Sequence, residues 1–455
     1  MRSSATEHLR DVRGSVITPG DPEYDGARTV YNAMIDRHPR LIVRCAGADD
    51  VVAAVRYAAA NDLPIAVRGG GHSVPGFGTA DDAIVIDLGA MKAIQVDPAR
   101  QTATAEGGAT WADFNAATHA HGLATTGGVV STTGIGGLTL GGGIGYLARA
   151  HGLSCDNLIG ADVVTADGTL VHASESEHPD LFWAIRGGGG NFGVVTSFAF
   201  RLHHVTEIYG GPMFYDPADA GDVLRLYREL IADAPEALGA FPGFHLAPPL
   251  PFIPEERHGR PVMVVVACWA GPANEGEAIL RPFHEVAPVV AEHVGVMPYP
   301  ALNAAFDALF PTGLQHYWKT AFAGSLTDDA IEAHLAWGPR VPAVSSVMHI
   351  YPINGACQRV AADATAFANR EASFATVIAG MWPDPADNEA NTGWVRDYYA
   401  ALAPDADSAG YVNFMSGDDQ DKVRGSYRGN YDRLVQVKRR YDARNAFRFN
   451  QNIRP

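Results

Sequence analysis

The sequence predicts an α+β protein with two domains, and three observations support this prediction. Up to about residue 205, short strand-like segments alternate with helical ones, and runs of glycine connect them. From about residue 206 the glycine runs stop, proline becomes more frequent, and longer helical patterns alternate with strands. The chain has 455 residues, which is too long for one compact core and typical of two domains.

The elements of the first half follow from apolar spacing and turn signals. Residues 49–60 carry apolar side chains at helical spacing, and residues 64–68 form a short apolar run that predicts a buried strand. Residues 110–119 open with a threonine cap and predict a helix. The same signals predict the remaining elements of this half, a helix at 178–185 and strands at 83–87, 93–97, 102–106 and 194–202.

The second half has longer elements. Helical patterns at 218–234, 328–337 and 388–402 alternate with strands such as 261–269. This alternation predicts a sheet that is covered by helices on one side. The last 45 residues change again, to a charged helical segment at 418–441.

The charge balance limits the partners of this chain. Lys and Arg number 34 against 51 Asp and Glu, a net charge of −17, which argues against nucleic acid or an anionic membrane as the main partner. Residues 1–15 lack the apolar core of a signal peptide, so we expect a cytoplasmic protein. The uncharged stretch 120–148 does not predict a membrane span, because nine of the 22 residues from 127 to 148 are glycine.

The four cysteines are scattered without a CxxC pair, which excludes a disulfide scaffold and a zinc ribbon. No HExxH motif and no Cys/His spacing predicts a metal site. Cys45 and Cys268 lie in apolar, strand-like runs and are expected to be inert core residues, whereas the context of Cys357 is ambiguous. Cys155 lies in a polar loop, where a reactive thiolate could form.

Three glycine clusters, at 68–73, 134–145 and 188–193, are the most informative motifs. The last one matches GxGxxG, but a helix precedes it and a strand follows, which is the reverse of the dinucleotide-binding order. Successive glycines free backbone amides to form a nest for a pyrophosphate, and the alternative is tight turns between packed strands. His72 follows three glycines, so its ring is expected beside this nest, whereas Ser73 does not fit the spacing of a serine hydrolase elbow.

These motifs resemble those of a known family, the berberine-bridge-enzyme-like FAD-linked oxidoreductases of the vanillyl-alcohol oxidase (PCMH-type FAD-binding) superfamily. The stretches that carry the resemblance are PIAVRGGGHS at 64–73, GGLTLGGGIGYLARAHGLSCDNL at 136–158, DLFWAIRGGGGNFGVV at 180–195, YVNF at 411–414, and two further segments at 429–442 and 450–455. The resemblance implies a two-part FAD-binding domain, 1–205 and 411–455, with an inserted α+β substrate domain at 206–410. The C-terminal berberine-bridge-type segment would complete the FAD domain.

The resemblance also implies which residues hold the cofactor. His72 matches the histidine that carries FAD covalently through the flavin 8α methyl, and Cys155 matches the second attachment, at flavin C6, of the bicovalent subset. The remaining FAD contacts implied by the resemblance are Arg68, Gly69, Gly70, Gly71, Ser73, Gly128, Thr133, Gly134, Gly137, Thr139, Gly142, Gly143, Gly193, Val195, Tyr411, Asn413, Asn450 and Asn452. By analogy, Thr139 would face the oxygen-reactive edge of the flavin.

The sequence departs from the family at the general base. Many bicovalent relatives have Tyr-x-Asn-Tyr, whose last tyrosine is the base, and Phe414 stands at that position here. The plant-type glutamate base is also absent, because Arg359 falls at its position. The replacement candidates are Tyr317, His349 and Tyr351, although each could equally be a strand residue that packs on the sheet. A further alternative is that no base is needed.

The resulting prediction is a bicovalent FAD-dependent oxidase that takes hydride from a secondary alcohol of a bulky small molecule and reduces O2 to H2O2. One alternative is C–N oxidation of an amine, as in 6-hydroxy-D-nicotine oxidase-like relatives, which fits the missing tyrosine base. Another is a dehydrogenase, or a flavin-carrying protein without oxidase turnover. The expected partners are a small-molecule substrate and O2, with no nucleic acid and no membrane, in a monomer or a homodimer.

Overall fold

A computed structural model describes residues 9–405 and 409–455 of the chain. Residues 1–8, which belong to the N-terminal segment 1–15 without a signal-peptide core, lie outside these ranges. Within the described residues, none of the helices combines the length and the apolar character that crossing a bilayer requires.

The strands are short in the first half of the chain and longer in the second. They are β1 Ser15–Ile17, β2 Leu41–Arg44, β3 Ile65–Arg68, β4 Ile84–Asp87, β5 Ile94–Asp97, β6 Thr102–Glu106, β7 Leu123–Ala124, β8 Leu158–Val164, β9 Leu170–Ala173, β10 Val194–Arg201, β11 His203–His204, β12 Glu207–Tyr215, β13 Leu238–Leu246, β14 Pro261–Trp269, β15 Val289–Glu292, β16 Gly295–Pro298, β17 Gln315–Ala323, β18 Val347–Pro352 and β19 Phe374–Trp382.

Helices separate many of these strands, and short 3₁₀ segments occur between them. The α-helices are α1 Tyr24–Ala27, α2 Ala48–Ala60, α3 Trp111–His119, α4 Ile135–Leu140, α5 Ala148–His151, α6 Pro179–Ile185, α7 Ala220–Asp233, α8 Gly276–Val286, α9 Tyr299–Ala304, α10 Asp328–Trp337, α11 Ala356–Arg359, α12 Asn388–Leu402, α13 Val423–Tyr427 and α14 Tyr431–Tyr441.

The first half of the chain forms two main sheets. A four-stranded sheet has the order β1-β2-β4-β3, in which β2, β4 and β3 run parallel because α2 connects β2 to β3 as a crossover. A five-stranded antiparallel sheet has the order β5-β6-β10-β8-β9. The apolar residues of α2 pack against the parallel sheet, so the loops that follow its strands are held in place.

The strands from β12 to β19 form one eight-stranded antiparallel sheet with the order β15-β12-β14-β13-β18-β19-β17, and β16 pairs with β12. Side chains alternate between its two faces along each strand. On β18, Met348 and Ile350 join a core that includes residues of α7, α8, α10 and α12. Val347 and Tyr351 point to the other face, toward the glycine-rich loops of the first half. We call this second face the roof.

The predicted α+β class is confirmed, as is the sheet with helices on one face. The predicted start of α3 is also found, because its threonine cap forms as expected. Thr110 caps α3 and forms a capping box with Asp113, in which the Asp113 amide donates to the threonine hydroxyl. The charged segment 418–441 is helical, as expected, but in several pieces. A 3₁₀ segment leads into α13, and α13 is separated from α14 at Arg428, whose φ of +48° interrupts α-helical geometry.

The C-terminal segment returns to the first half of the chain. The backbone amide of Ile453 donates to Asn191 Oδ1 at 2.9 Å, and Asn191 Nδ2 donates to the carbonyl of Gln451. Lys438 is fully buried, and its ammonium donates to Asp442 and to the carbonyls of Asn191 and Phe447. These bonds hold the end of the chain against the loop that precedes β10.

Candidate functional site

A large cavity lies between the glycine-rich loops of the first half and the roof of the eight-stranded sheet. One end is lined by Ile65, Val67 and Phe447, and the other by aromatic side chains of the roof. Arg68 is the one charged side chain among the described residues that line the cavity. Its guanidinium donates to Asp87 Oδ2 at 2.8 Å and to the carbonyl of Thr29, so its charge is already paired.

The loop after β3 presents bare backbone to the cavity. In the described parts of the chain, the amides of Gly69, Gly70, Gly71 and His72 donate to no protein acceptor. Gly71 has φ +73°, a conformation that favours glycine. Unpaired amides at the wall of a cavity form a nest for an anion, as the glycine clusters predicted.

A second glycine segment packs directly on this loop. A Cβ atom on Gly70 would lie 2.5 Å from the nitrogen of Gly134, and a Cβ atom on Gly134 would lie 2.5 Å from the nitrogen of Gly70. A Cβ on Gly137, by contrast, would meet nothing within 4 Å, so the backbone there faces open space in the cavity wall. The two segments therefore form a cradle that leaves room for a ligand at backbone level.

His72 lies at the edge of this cradle. Its ring stacks on Tyr31, with centroids 4.1 Å apart and planes inclined by 16°. Burial lowers the pKa of His72 to about 4, and a hydrogen bond from the ring to the Thr132 backbone acts in the opposite direction. The imidazole is therefore neutral near pH 7, with a nitrogen lone pair available for a bond to a ligand.

Asn413 and Asn450 bring the C-terminal segment to the cavity. Asn413 Nδ2 donates to the carbonyl of Leu138 and to the Tyr411 hydroxyl, which in turn accepts the amide of Gly143 at 2.8 Å. Asn450 Nδ2 donates to the carbonyl of Gly190, but its Oδ1 is buried without a partner. A buried acceptor without a donor is costly, so the position fits a ligand that supplies a hydroxyl or N–H group.

Most of the sequence-predicted cofactor residues line this cavity. They are Arg68, Gly69, Gly70, Gly71, His72, Ser73, Gly128, Thr133, Gly134, Gly137, Gly193, Val195, Asn413 and Asn450. Others stand behind its wall: Gly142, Gly143, Tyr411, Thr139 and Asn452. The Thr139 hydroxyl is buried without a hydrogen-bond partner, and its place at the oxygen-reactive edge of the flavin stays a prediction.

Cys155 was expected in a polar loop, and its attachment to the cofactor stays a prediction. Its side chain is fully buried and does not line the cavity, and its thiol faces Asp156 Oδ1 at 3.6 Å. Burial raises the pKa of the Cys155 thiol well above its usual value, and the Asp156 charge adds to this effect. Arg370 binds Asp156 with two hydrogen bonds of 2.6 and 2.8 Å and so closes the loop over the thiol. The thiolate that a second attachment needs is therefore disfavoured. Cys45, Cys268 and Cys357 are buried as well.

Two of the three base candidates lie together on the roof. His349 and Tyr351 are two residues apart on β18 and both line the cavity, and His349 Nδ1 lies 3.0 Å from the Tyr351 hydroxyl. Burial lowers the pKa of His349 to about 4 and raises the pKa of Tyr351, so both are neutral at pH 7. Tyr317 is wrong as a candidate: it faces the helix-covered side of the sheet and donates to Asp418 Oδ2 at 2.7 Å.

Phe414 lies where the missing base was expected to lie. It lines the cavity and meets Tyr411 and Trp318 edge to face, at 4.8 and 5.7 Å between ring centroids. With Phe310 it forms an apolar wall beside Tyr351. Arg359 lies on α11 and pairs with the exposed carboxylate of Glu236, outside this wall.

Sequence reasoning missed Tyr31, Trp318 and His245. Tyr31 and Trp318 line the cavity, and His245 stands behind His349 with its Nε2 at 2.6 Å from His349 Nε2. His245 lies on the same face of β13 as Phe241 and Gly243. The alternating pattern of a strand at 238–246 was therefore the signal in the sequence that could have placed His245 on this face. No local motif marks Tyr31, because its partner His72 lies in another loop.

Comparison with known proteins agrees with this geometry. Residues 39–174 match the family model described as FAD binding domain, and residues 410–454 match the model described as berberine and berberine like. The chain is 32% identical to an uncharacterized FAD-linked oxidoreductase of Bacillus subtilis, over 97% of each chain. It is 30% identical to (R)-6-hydroxynicotine oxidase of Paenarthrobacter nicotinovorans, over 98% of this chain and 97% of the relative.

A solved structure has the same fold. The crystal structure of 6-hydroxy-D-nicotine oxidase from Arthrobacter nicotinovorans superposes with a TM-score of 0.87 at 27% identity, and each chain is covered completely, at 100%. The cradle, the neutral His72 and the unpaired Asn450 acceptor therefore fit FAD as the ligand of this cavity.

Proposed function

Because this chain belongs to the berberine-bridge-enzyme-like family of FAD-linked oxidoreductases, we propose that it is an oxidase acting on a CH–OH group of a bulky, uncharged small molecule. The hydrogen-bonded pair of His349 and Tyr351 in the roof carries this proposal. A neutral, buried pair of this kind can accept a proton from a substrate hydroxyl without placing a fixed charge in an apolar cavity.

In this proposal the first half of the chain and the C-terminal segment hold the cofactor, and residues 206–410 form the roof. The free amides from Gly69 to His72 bind the pyrophosphate, and Asn450 Oδ1 accepts a hydrogen bond from the ligand. His72, which lines the cavity with a neutral imidazole, would hold the cofactor covalently. Bound FAD would supply the hydride acceptor, and dioxygen would take up the electrons as hydrogen peroxide.

The roof side chains act on the substrate. Phe310, Trp318 and Phe414 enclose its apolar part and exclude water from the reacting carbon. The Tyr351 oxygen takes the hydroxyl proton while the adjacent C–H bond breaks. Because the described lining residues include no unpaired charge, we expect uncharged, aromatic or otherwise apolar substrates.

A second candidate is oxidation of a C–N bond. It is favoured by the 30% identical relative that is named (R)-6-hydroxynicotine oxidase and by the burial of Cys155, which leaves a single attachment residue. A neutral amine can lose hydride without a base, so Tyr351 would then only position the substrate.

A matched pair of probes separates the two candidates. α-Methylbenzyl alcohol and α-methylbenzylamine differ only in the O–H or N–H group, and peroxide release reports the turnover of each. We expect Tyr351→Phe to lower kcat for the alcohol by about 10²–10⁴-fold, and Tyr317→Phe, on the opposite face of the sheet, to leave it unchanged. Turnover of the amine alone, at a rate insensitive to Tyr351→Phe, would favour the second candidate.

Oxidase chemistry itself has a separate test. Enzyme that has been reduced with dithionite is exposed to air, and the return of the flavin spectrum is followed. Rapid return with peroxide formation supports an oxidase, whereas slow return indicates a dehydrogenase or a flavin-carrying protein.

A further inference from the structure

Three side chains form a continuous hydrogen-bonded row that leads away from the cavity. The Tyr351 hydroxyl lies 3.0 Å from His349 Nδ1, and His349 Nε2 lies 2.6 Å from His245 Nε2. The row exists because β13 and β18 are antiparallel neighbours in which Gly243 pairs with His349. His245, two residues further along β13, therefore stands on the same face as His349.

This row allows two neutral proton arrangements. In the first, Tyr351 donates its O–H to His349 Nδ1, and His349 Nε2–H donates to His245 Nε2, so that the His245 proton sits on Nδ1. In the second, every bond points the other way, with His245 Nε2–H donating toward the cavity. Each imidazole–imidazole contact needs one donor and one acceptor, so the protonation of one ring dictates that of the next.

The tyrosine needs an acceptor behind it. Burial keeps Tyr351 in its protonated form, so its oxygen can take a proton from a substrate only if its own proton moves on. His349 Nδ1 is the acceptor in contact with that hydroxyl. His349 Nε2 lies 2.6 Å from His245 Nε2, so a proton that arrives at His349 Nδ1 can be balanced by transfer of the Nε2 proton to His245.

We propose that His245 is a positioning residue that receives, through His349, the proton taken up by Tyr351, so that the three residues act as one relay. This inference rests on the CH–OH function proposed above. The substrate O–H bond breaks, and its electron pair stays on oxygen as the C=O bond forms and hydride leaves to FAD. The substrate proton goes to Tyr351, the tyrosine proton to His349 Nδ1, and the His349 Nε2 proton to His245, which becomes an imidazolium.

Among the described residues, the charges that shift the pKa of the relay groups belong to His349, which acts on His245, and to Tyr411, which acts on Tyr351. Burial lowers the pKa of His245 well below its usual value, and His349 is the titratable group whose charge adds to this effect. On the other neighbouring strand, β14, His245 pairs with Val262. His245 retains a 7% exposed fraction. The proton is therefore held only within a catalytic cycle and is released before the next one.

The kinetic test uses His245→Gln, because glutamine keeps a hydrogen-bonding amide but cannot be protonated. With α-methylbenzyl alcohol as the probe, we expect kcat to fall at least about tenfold at unchanged KM, together with a larger solvent isotope effect on kcat. The control is His334→Gln, which alters another buried histidine, whose Nδ1 lies 2.7 Å from the Tyr398 hydroxyl on the other side of the sheet. Wild-type kcat and isotope effect in His245→Gln would overturn the relay.

The pattern of variants separates this inference from the proposed function. If Tyr351→Phe is impaired and His245→Gln is not, the relay is wrong and the proposed base stands. If neither variant is impaired, the proposed base itself is wrong, and the relay falls with it.

A second readout requires no turnover. In full-length holoenzyme labelled with ¹⁵N-histidine, ring-nitrogen NMR shifts report which nitrogen of each imidazole carries the proton. We expect Tyr351→Phe to change the tautomer populations of both His349 and His245, and Tyr317→Phe to change neither. A His245 spectrum that does not respond to Tyr351→Phe would overturn the coupling.

Discussion

Gly70 and Gly134 approach each other so closely that a Cβ atom on either would lie 2.5 Å from the backbone nitrogen of the other. The contact joins the loop after β3 to the start of α4, and both residues line the cavity. Since neither partner in the contact is a flexible side chain, neither can move away without shifting a loop. The geometry of the cofactor cradle therefore depends on two glycines that are 64 residues apart in the printed sequence.

Gly70→Ala should separate the two loops and remove most of the bound flavin. The expected result is a protein that purifies with little visible flavin absorbance and a lower Tm than wild type. Gly425→Ala is the control, because a Cβ at that helical position meets nothing within 4 Å. We expect the control to retain its flavin and to gain up to about 1 kcal/mol of stability. Full flavin content in Gly70→Ala would show that the loops have room to separate.

His72 and Cys155 should differ in their effect on flavin attachment. His72→Ala should yield protein whose flavin is released on acid denaturation, whereas Cys155→Ala should keep it covalently bound, because the buried thiol does not reach the cavity. Intact-protein mass after denaturation, followed by peptide mapping, measures both. A flavin-linked peptide that contains Cys155 would contradict the arrangement described here.

The pH dependence of alcohol oxidation should follow the buried histidine. Burial lowers the pKa of His349 from its usual 6.5 to about 4, and the relay needs the neutral ring. We therefore expect kcat to stay level as the pH falls below 6.5 and to decline only as it approaches about 4. The enzyme must be shown to remain folded over this range. A decline centred near 6.5 would mean that the ring is solvated in the working enzyme.

Asp419→Asn should weaken the link between the roof and the C-terminal segment. Lys319 on β17 is buried and pairs with Asp418 at 2.8 Å and with Asp419 at 2.7 Å. Lys319 keeps its pair with Asp418 in this variant, whereas Lys422 loses its pair with Asp419 at 3.0 Å, so the free energy of unfolding should fall by about 1–3 kcal/mol. Asp432→Asn, which breaks an exposed pair with Arg424, should have little effect. Denaturant unfolding of both variants provides the comparison, and equal stabilities would contradict the prediction.

Residues whose function depends on backbone shape or on a local motif were predictable. The Arg68–Ser73 loop was recognised because three consecutive glycines after an apolar strand indicate bare backbone at a strand end. His349 and Tyr351 were named as candidates because Phe414 replaces the usual tyrosine base and their side chains can exchange protons. Tyr317 satisfied the same local criteria and was wrong, since its face of the sheet depends on strand packing that no local pattern reports.

The burial of Cys155 could not be predicted from the local sequence either. Its polar neighbours suggested exposure, but Arg370, 214 positions later, binds Asp156 and closes the loop. His245 was missed because it gains its role only when β13 pairs with β18. No short stretch of sequence contains both partners of the Arg370–Asp156 contact or of the His245–His349 contact.

The sequence by itself determined the α+β class and the glycine cradle, because these depend on residue type, short-range periodicity and motifs that lie within single segments, and its resemblance to a known family implied the cofactor and the attachment candidate His72. Only the tertiary structure decided that Cys155 is enclosed, that Tyr317 and Tyr351 face opposite ways, and that Tyr351, His349 and His245 form one row. The physical reason is that burial and hydrogen-bond partnership arise between segments far apart in the chain, and become definite only when strands pair in one register and sheets pack on one face.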